Sequence, residues 1–140
     1  MTTTGLTGNP QFMYQNGFNT AAAYWCPGRP FLTGSALGSG EEQRIQFPTI
    51  TKSVTVRAMG EQAIRVHFDT ATGTDVISQG RFITLGSSSQ TGPESYEFDV
   101  RTRDIYVSAI VATSYELCAI CVQVDKNLMQ PLSGTGINAN

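Results

Sequence analysis

Between Glu42 and Phe68 the chain twice places apolar side chains at alternate positions, with a turn between the two runs. In ITKSVTVRA, Ile50, Val54, Val56 and Ala58 share one parity, while Thr51, Ser53, Thr55 and Arg57 take the other. Strand side chains alternate between faces, so this spacing predicts one face in a core and one against water or a partner. Met59-Gly60-Glu61 supplies the turn. In QAIRVHF, Ile64, Val66 and Phe68 then face inward, and Arg65 and His67 are expected to face out.

The residues that follow repeat this grammar. Candidate strands fall at 44–47, 50–58, 62–69, 75–78, 81–85, 95–100, 103–109 and 115–124, separated by turn chemistry such as Thr72-Gly73, Gly80, the run from Gly86 to Pro93, and Arg101-Thr102. Tyr96, Phe98 and Val100 share a face, as do Ile105, Val107 and Ala109. No helical segment of ordinary length separates the strands, which argues against a parallel α/β sheet. Eight short strands at this spacing predict an all-β protein, a β-sandwich or jelly roll. The expected organisation is an extended N-terminal arm over residues 1–40, the jelly-roll domain over 41–125, and a short C-terminal tail over 126–140.

The arm reads differently. Residues 1–40 hold one charged side chain, Arg29, among Gly, Thr, Asn and Pro, and they carry Phe12, Tyr14, Phe18, Tyr24, Trp25 and Phe31. A disordered tail is ordinarily charged and poor in aromatics, and this stretch is the reverse. It is expected to lie on something apolar, either its own domain or a neighbouring subunit. The neighbour would be gripped by Tyr14, Phe18, Tyr24, Trp25 and Phe31, since aromatics are enriched in interfaces. Ser35–Gly40 is expected to be a flexible hinge.

Composition narrows the function classes. Charged residues make up 14% of the 140-residue chain, well below the roughly 25% usual for a soluble domain. Such a surface suits a protein covered by neighbours. A net charge of −2 gives no basic stripe for nucleic acid. No run is long and apolar enough for a membrane span. The start has neither the basic nor the apolar region of a signal peptide, and Thr2 stands where myristoylation needs glycine. Three cysteines are too few for a disulfide framework, so folding in a reducing compartment is expected.

Residues that could carry chemistry are few. Cys118-Ala-Ile-Cys121 has the spacing of redox and zinc sites, but redox pairs open a helix and this one sits in a strand. Residues i and i+3 of a strand point to opposite faces, and no second pair completes a metal site. The thiols are therefore expected to pack as small hydrophobes, Cys26 among them. His67 is the single histidine, so any Ser-His-Asp or Cys-His site would have to use it. Its outward position predicts a surface or interface group instead. Glu94, Glu97, Asp99 and Asp104 gather around Arg101 and Arg103, and the mixture predicts a solvated, charge-paired face rather than a calcium site or a glycosidase pair. No catalytic constellation, metal site or cofactor site is expected.

The ordered motifs RIQFPTITKSVTV, IRVHF, GRFITL, SYEFDVRTRDIYVS and YEL, spanning roughly residues 42–124, resemble the small single jelly-roll penton proteins of large icosahedral DNA viruses, the iridovirus and algal-virus type. The resemblance implies an eight-stranded single jelly-roll β-sandwich and a non-enzymatic minor capsid protein in the virion, made in the host cytoplasm, with five copies closing each fivefold vertex. Its implied partners are itself, as a homopentamer, and neighbouring major and minor capsid proteins. The alternatives are a jelly-roll carbohydrate-binding or attachment domain and a capsid cement protein.

Overall fold

The computed structural model describes residues 28–72, 75–86 and 94–138. Among these residues eight strands follow one another: β1 (Arg29–Leu37), β2 (Glu42–Gln46), β3 (Thr51–Ala58), β4 (Ile64–His67), β5 (Ile83–Leu85), β6 (Glu94–Phe98), β7 (Asp104–Ala109) and β8 (Thr113–Cys121). They form two four-stranded sheets, ordered β1-β8-β3-β6 and β2-β7-β4-β5, in which every pairing is antiparallel. β1 pairs with β8, β2 with β7, β3 with β6 and β4 with β5. That nesting is a long antiparallel ribbon rolled on itself, the topology of a jelly roll.

Alternation explains which side chains fill the space between the sheets. Val54, Val56 and Ala58 from β3 meet Ile64 and Val66 from β4, Ile105, Val107 and Ala109 from β7, and Tyr115, Leu117, Ala119 and Cys121 from β8. Burying each Val or Ile is worth about 1.5–3 kcal/mol. A second, smaller cluster of Ile50, Val122, Val124 and Met129, with Leu132 packed on it, ties the C-terminal segment to one end of the sandwich. A short 3-10 turn, Lys126–Leu128, is capped by Asp125, whose side chain accepts from the Asn127 amide.

Two strand assignments change. Residues 29–37, expected within the arm and its hinge, form β1, the edge strand of one sheet, in register from Arg29↔Cys121 to Leu37↔Thr113. The jelly-roll domain therefore begins before residue 41. Residues 75–78, expected as a strand, form a tight turn: the Gln79 amide donates to Asp75 O at 2.8 Å and the Arg81 amide to Val76 O at 2.8 Å. Val76 and Ile77 are consecutive, so a strand would send them to opposite faces. The turn instead buries Val76 completely and leaves through Gly80 at φ +70, a left-handed conformation suited to glycine.

The connections at one end of the sandwich lock together. The Ser39 hydroxyl donates to Ile110 O at 2.9 Å, the Ala109 amide to Glu41 O and the Met59 amide to Ser114 O, both at 3.0 Å. Thr113 Oγ1 donates to Gln62 O at 3.1 Å. A Cβ on Gly60 would stand 2.2 Å from that hydroxyl oxygen, so the close approach of the β3–β4 and β7–β8 connections requires glycine. Gly60→Ala is expected to displace Thr113 and its hydrogen bond, costing about 1–2 kcal/mol. A urea melt of the variant checks this.

Candidate functional site

Two regions of the sandwich carry features that its core does not need. The first is the locked loop end. Ile110 and Val111, at the tip between β7 and β8, are 58% and 49% exposed, and Met59 between β3 and β4 is 39% exposed. The backbone bonds described above hold these tips, so their apolar side chains are presented by a fixed frame. The flanks differ from each other. On the β1 side, Leu32 is 73% exposed, beside a shallow hollow lined by Gly34, Thr55, Arg57, Glu116 and Cys118. On the opposite side, where β5 and β6 close the sandwich, Ile83 and Tyr96 are exposed, Tyr96 leaning on buried Phe98 with ring centroids 4.7 Å apart.

The second region is the outer face of the β2-β7-β4-β5 sheet. Register places Arg44, Tyr106 and His67 in one transverse row and Glu42, Ser108, Arg65 and Thr84 in the next. Parity does turn His67 away from the core, as its spacing predicts. The side chain is nonetheless fully buried, which corrects the expectation of a surface group. A roof accounts for the difference. Thr70 Oγ1 and the Ala71 amide donate to the Glu42 carboxylate at 2.8 Å each, and Asn138 Nδ2 donates to Asp69 Oδ2 at 2.7 Å. The chain after β4 and the C-terminal segment are thereby drawn over the sheet.

Under that roof His67 Nδ1 lies 2.7 Å from Asp69 O and Nε2 lies 2.9 Å from Ser108 Oγ. A carbonyl oxygen only accepts, so Nδ1 carries the proton and the neutral ring offers its Nε2 lone pair to the Ser108 hydroxyl. Tyr106 stacks nearly parallel to the imidazole, 7° from coplanar and 5.9 Å between centroids. Burial pushes the His67 pKa below its ordinary value, against the opposing pulls of the Asp69 carbonyl and the Glu42 carboxylate. Beside this row a cleft of about 340 Å³ opens between Gly40, Glu42, Arg65, Ala71, Thr72, Ile77, Ser108, Ala109 and Ile110. The Arg65 guanidinium sits 4.5 Å from the Phe82 ring centroid.

Phe31, expected in an arm over a neighbour, packs on its own sandwich, edge-on to Phe47 at 5.5 Å. Tyr14, Phe18, Tyr24, Trp25 and Cys26 lie outside the described residues. Cys121 is buried and Cys118 half-buried on the opposite face, and burial pushes the Cys121 thiol up in pKa. The expected charge-paired face is reorganised. Asp104 is buried and pairs with Arg44 across the sheet, through Nη2 at 2.5 Å and Nε at 2.9 Å, while Arg103 donates to Met129 O and Glu94 accepts from the Gly86 amide. Among the described residues no group of three His, Cys, Asp or Glu side chains gathers as a metal site, and no helix is long and apolar enough to cross a membrane.

Nothing local in the sequence marks Ser108. It stands 41 positions from His67 with no local motif, and the β4–β7 register alone brings the two together.

No family model matches the chain, and no curated protein matches it. Among solved structures, a cupin superfamily protein from Desulfitobacterium hafniense is similar at 8% identity and a TM-score of 0.41, over 66% of this chain and 68% of that one.

Proposed function

We propose that this chain is a structural subunit, a single jelly-roll minor capsid protein whose copies close a pentameric ring at the fivefold vertices of a large icosahedral DNA virus. The observation that carries the reading is the rigid loop end with its exposed Ile110, Val111 and Met59. A soluble monomer gains nothing from three large apolar side chains fixed at one tip, whereas copies that converge on an axis bury them. The flanks support the same geometry. A closed ring needs heterologous contacts, in which one patch meets a different patch on the next copy. Leu32 on the β1 flank and Ile83 with Tyr96 on the β5–β6 flank are two such patches on opposite sides of the sandwich. A low charge fraction fits a surface surrounded by other capsid proteins.

The test is light scattering of the purified chain across a concentration series, together with its location in intact particles by electron cryomicroscopy. Pentamers in solution, or fivefold rings at the vertices, are the expected result. A trimer, or density away from the fivefold axes, overturns the reading in favour of a cement or attachment protein.

A further inference from the structure

We propose that Ser108 and His67 form a nucleophile–base pair, with Ser108 lining the cleft beside the β2-β7-β4-β5 sheet and His67 buried behind it, and that Ser108 accepts short acyl groups from activated esters. The chain of hydrogen bonds has a direction. Asp69 O takes the Nδ1 proton at 2.7 Å, which fixes the tautomer, and Nε2 at 2.9 Å then faces the Ser108 hydroxyl as an acceptor. This is the relation of nucleophile, base and orienting group in acyl-transfer sites, with a backbone carbonyl in the orienting position. Buried imidazole, stacked on Tyr106, has little freedom to leave that geometry.

The surroundings define the substrate class. Ser108 lines the cleft with Arg65, its direct cross-strand partner, and cross-strand neighbours on one face stand about 5 Å apart at Cβ. Arg65 is the cation among these lining residues, with its guanidinium over the Phe82 ring, and is the group that would meet charge gathering on an attacked carbonyl oxygen. Glu42, opposite Ser108 on the other side, has both carboxylate oxygens engaged by Thr70 and Ala71. The remaining walls include Ala71, Ile77, Ala109 and Ile110, which suit a short aliphatic acyl chain. In the step, Ser108 Oγ bonds to the acyl carbon while its proton passes to His67 Nε2. The ester C–O bond breaks, and the departing oxygen takes that proton. Water then adds to the acyl-serine by the same route in reverse, releasing the acid and restoring Ser108.

The lowered pKa keeps His67 a free base at neutral pH. The charged or titratable groups around it are Arg65 on its own strand, Glu42 from β2, Tyr106 from β7 and Asp69 in the roof. The experiment treats the full chain with p-nitrophenyl acetate and follows nitrophenol release and intact mass, with peptide mapping of the acetyl group. Expected are acetylation at Ser108, its loss in Ser108→Ala, and a slowing of about 100-fold or more in His67→Gln. The wild-type rate should rise with pH through an inflection below the ordinary histidine value. Circular dichroism establishes that each variant is folded. If His67→Gln does not fold, Ser108→Ala and the wild-type pH profile decide. Acetyl found on Lys52 or Lys126 instead of Ser108, the same label in Ser108→Ala, or a profile without that inflection overturns the proposal.

Discussion

If the proposed ring forms, a chain carrying Ile110→Asp and Val111→Asp together is expected to remain a monomer at concentrations where the unaltered protein assembles. In the isolated subunit both side chains are about half exposed, and the Ser39 bond goes to the Ile110 backbone oxygen. The substitutions therefore leave the fold intact. Around the proposed axis the same positions would converge, so each copy would bring two carboxylates into a space that the proposed ring closes to water. An unpaired charge in such a place, added to the loss of an apolar anchor, costs on the order of 2–4 kcal/mol per interface. A ring repeats that cost at every contact, and the pentamer is lost rather than weakened. Light scattering reads the mass and a thermal melt verifies the unchanged fold. A double variant that still forms pentamers would place this end of the sandwich away from the axis.

The second large effect concerns His67 and stability. His67→Ala removes a ring from a fully buried site and strips Ser108 Oγ and Asp69 O of their partner. Cavity and unsatisfied polar groups together are expected to cost about 3 kcal/mol or more, visible as a fall in the urea midpoint. Acid should achieve part of this in the unaltered protein. The folded pKa lies below the unfolded value of 6.5, so between the two the unfolded chain binds more protons, and stability rises with pH there. The full contribution is present above the unfolded pKa and is lost as pH falls toward the folded one. The slope approaches about 1.4 kcal/mol per pH unit in that window. Urea melts from neutral to mildly acidic pH should show this dependence in the parent and a flatter one in His67→Gln. A parent with flat stability across the window would show that His67 takes up its proton in the folded state as readily as in the unfolded one.

The alternation over β3, β4 and β7 was legible because both the pattern and its cause, one face in a core, are local. β1 was not. RPFLTGSAL carries Pro30 and Gly34, places Thr33 and Ser35 between Phe31 and Leu37, and owes its strand form to hydrogen bonding with β8, far along the chain. Residues 75–78 show the opposite error, apolar letters without alternation that a turn uses to bury Val76. His67 divides the lesson. Its parity gave the correct face, but its burial comes from residues 69–71 and Asn138, which no periodicity in IRVHF encodes. Ser108 reads as a small residue between Val107 and Ala109, and its relation to the imidazole exists only once β4 lies beside β7.

The nested pairing also dictates the order in which this chain can come to rest. β4 and β5 are partners close in sequence, while β3 must wait for β6, β2 for β7 and β1 for β8. During synthesis the first of the described strands to leave the ribosome is the last to find its neighbour, and until Thr113–Cys121 emerges the strand Arg29–Leu37 lacks its partner β8. Contacts of such long range close slowly. An unpaired leading strand bearing Leu32 would be a point of mispairing between nascent chains. Pro30, which has no amide hydrogen to offer, and the polar Arg29, Thr33 and Ser35 on that strand hold the hazard down.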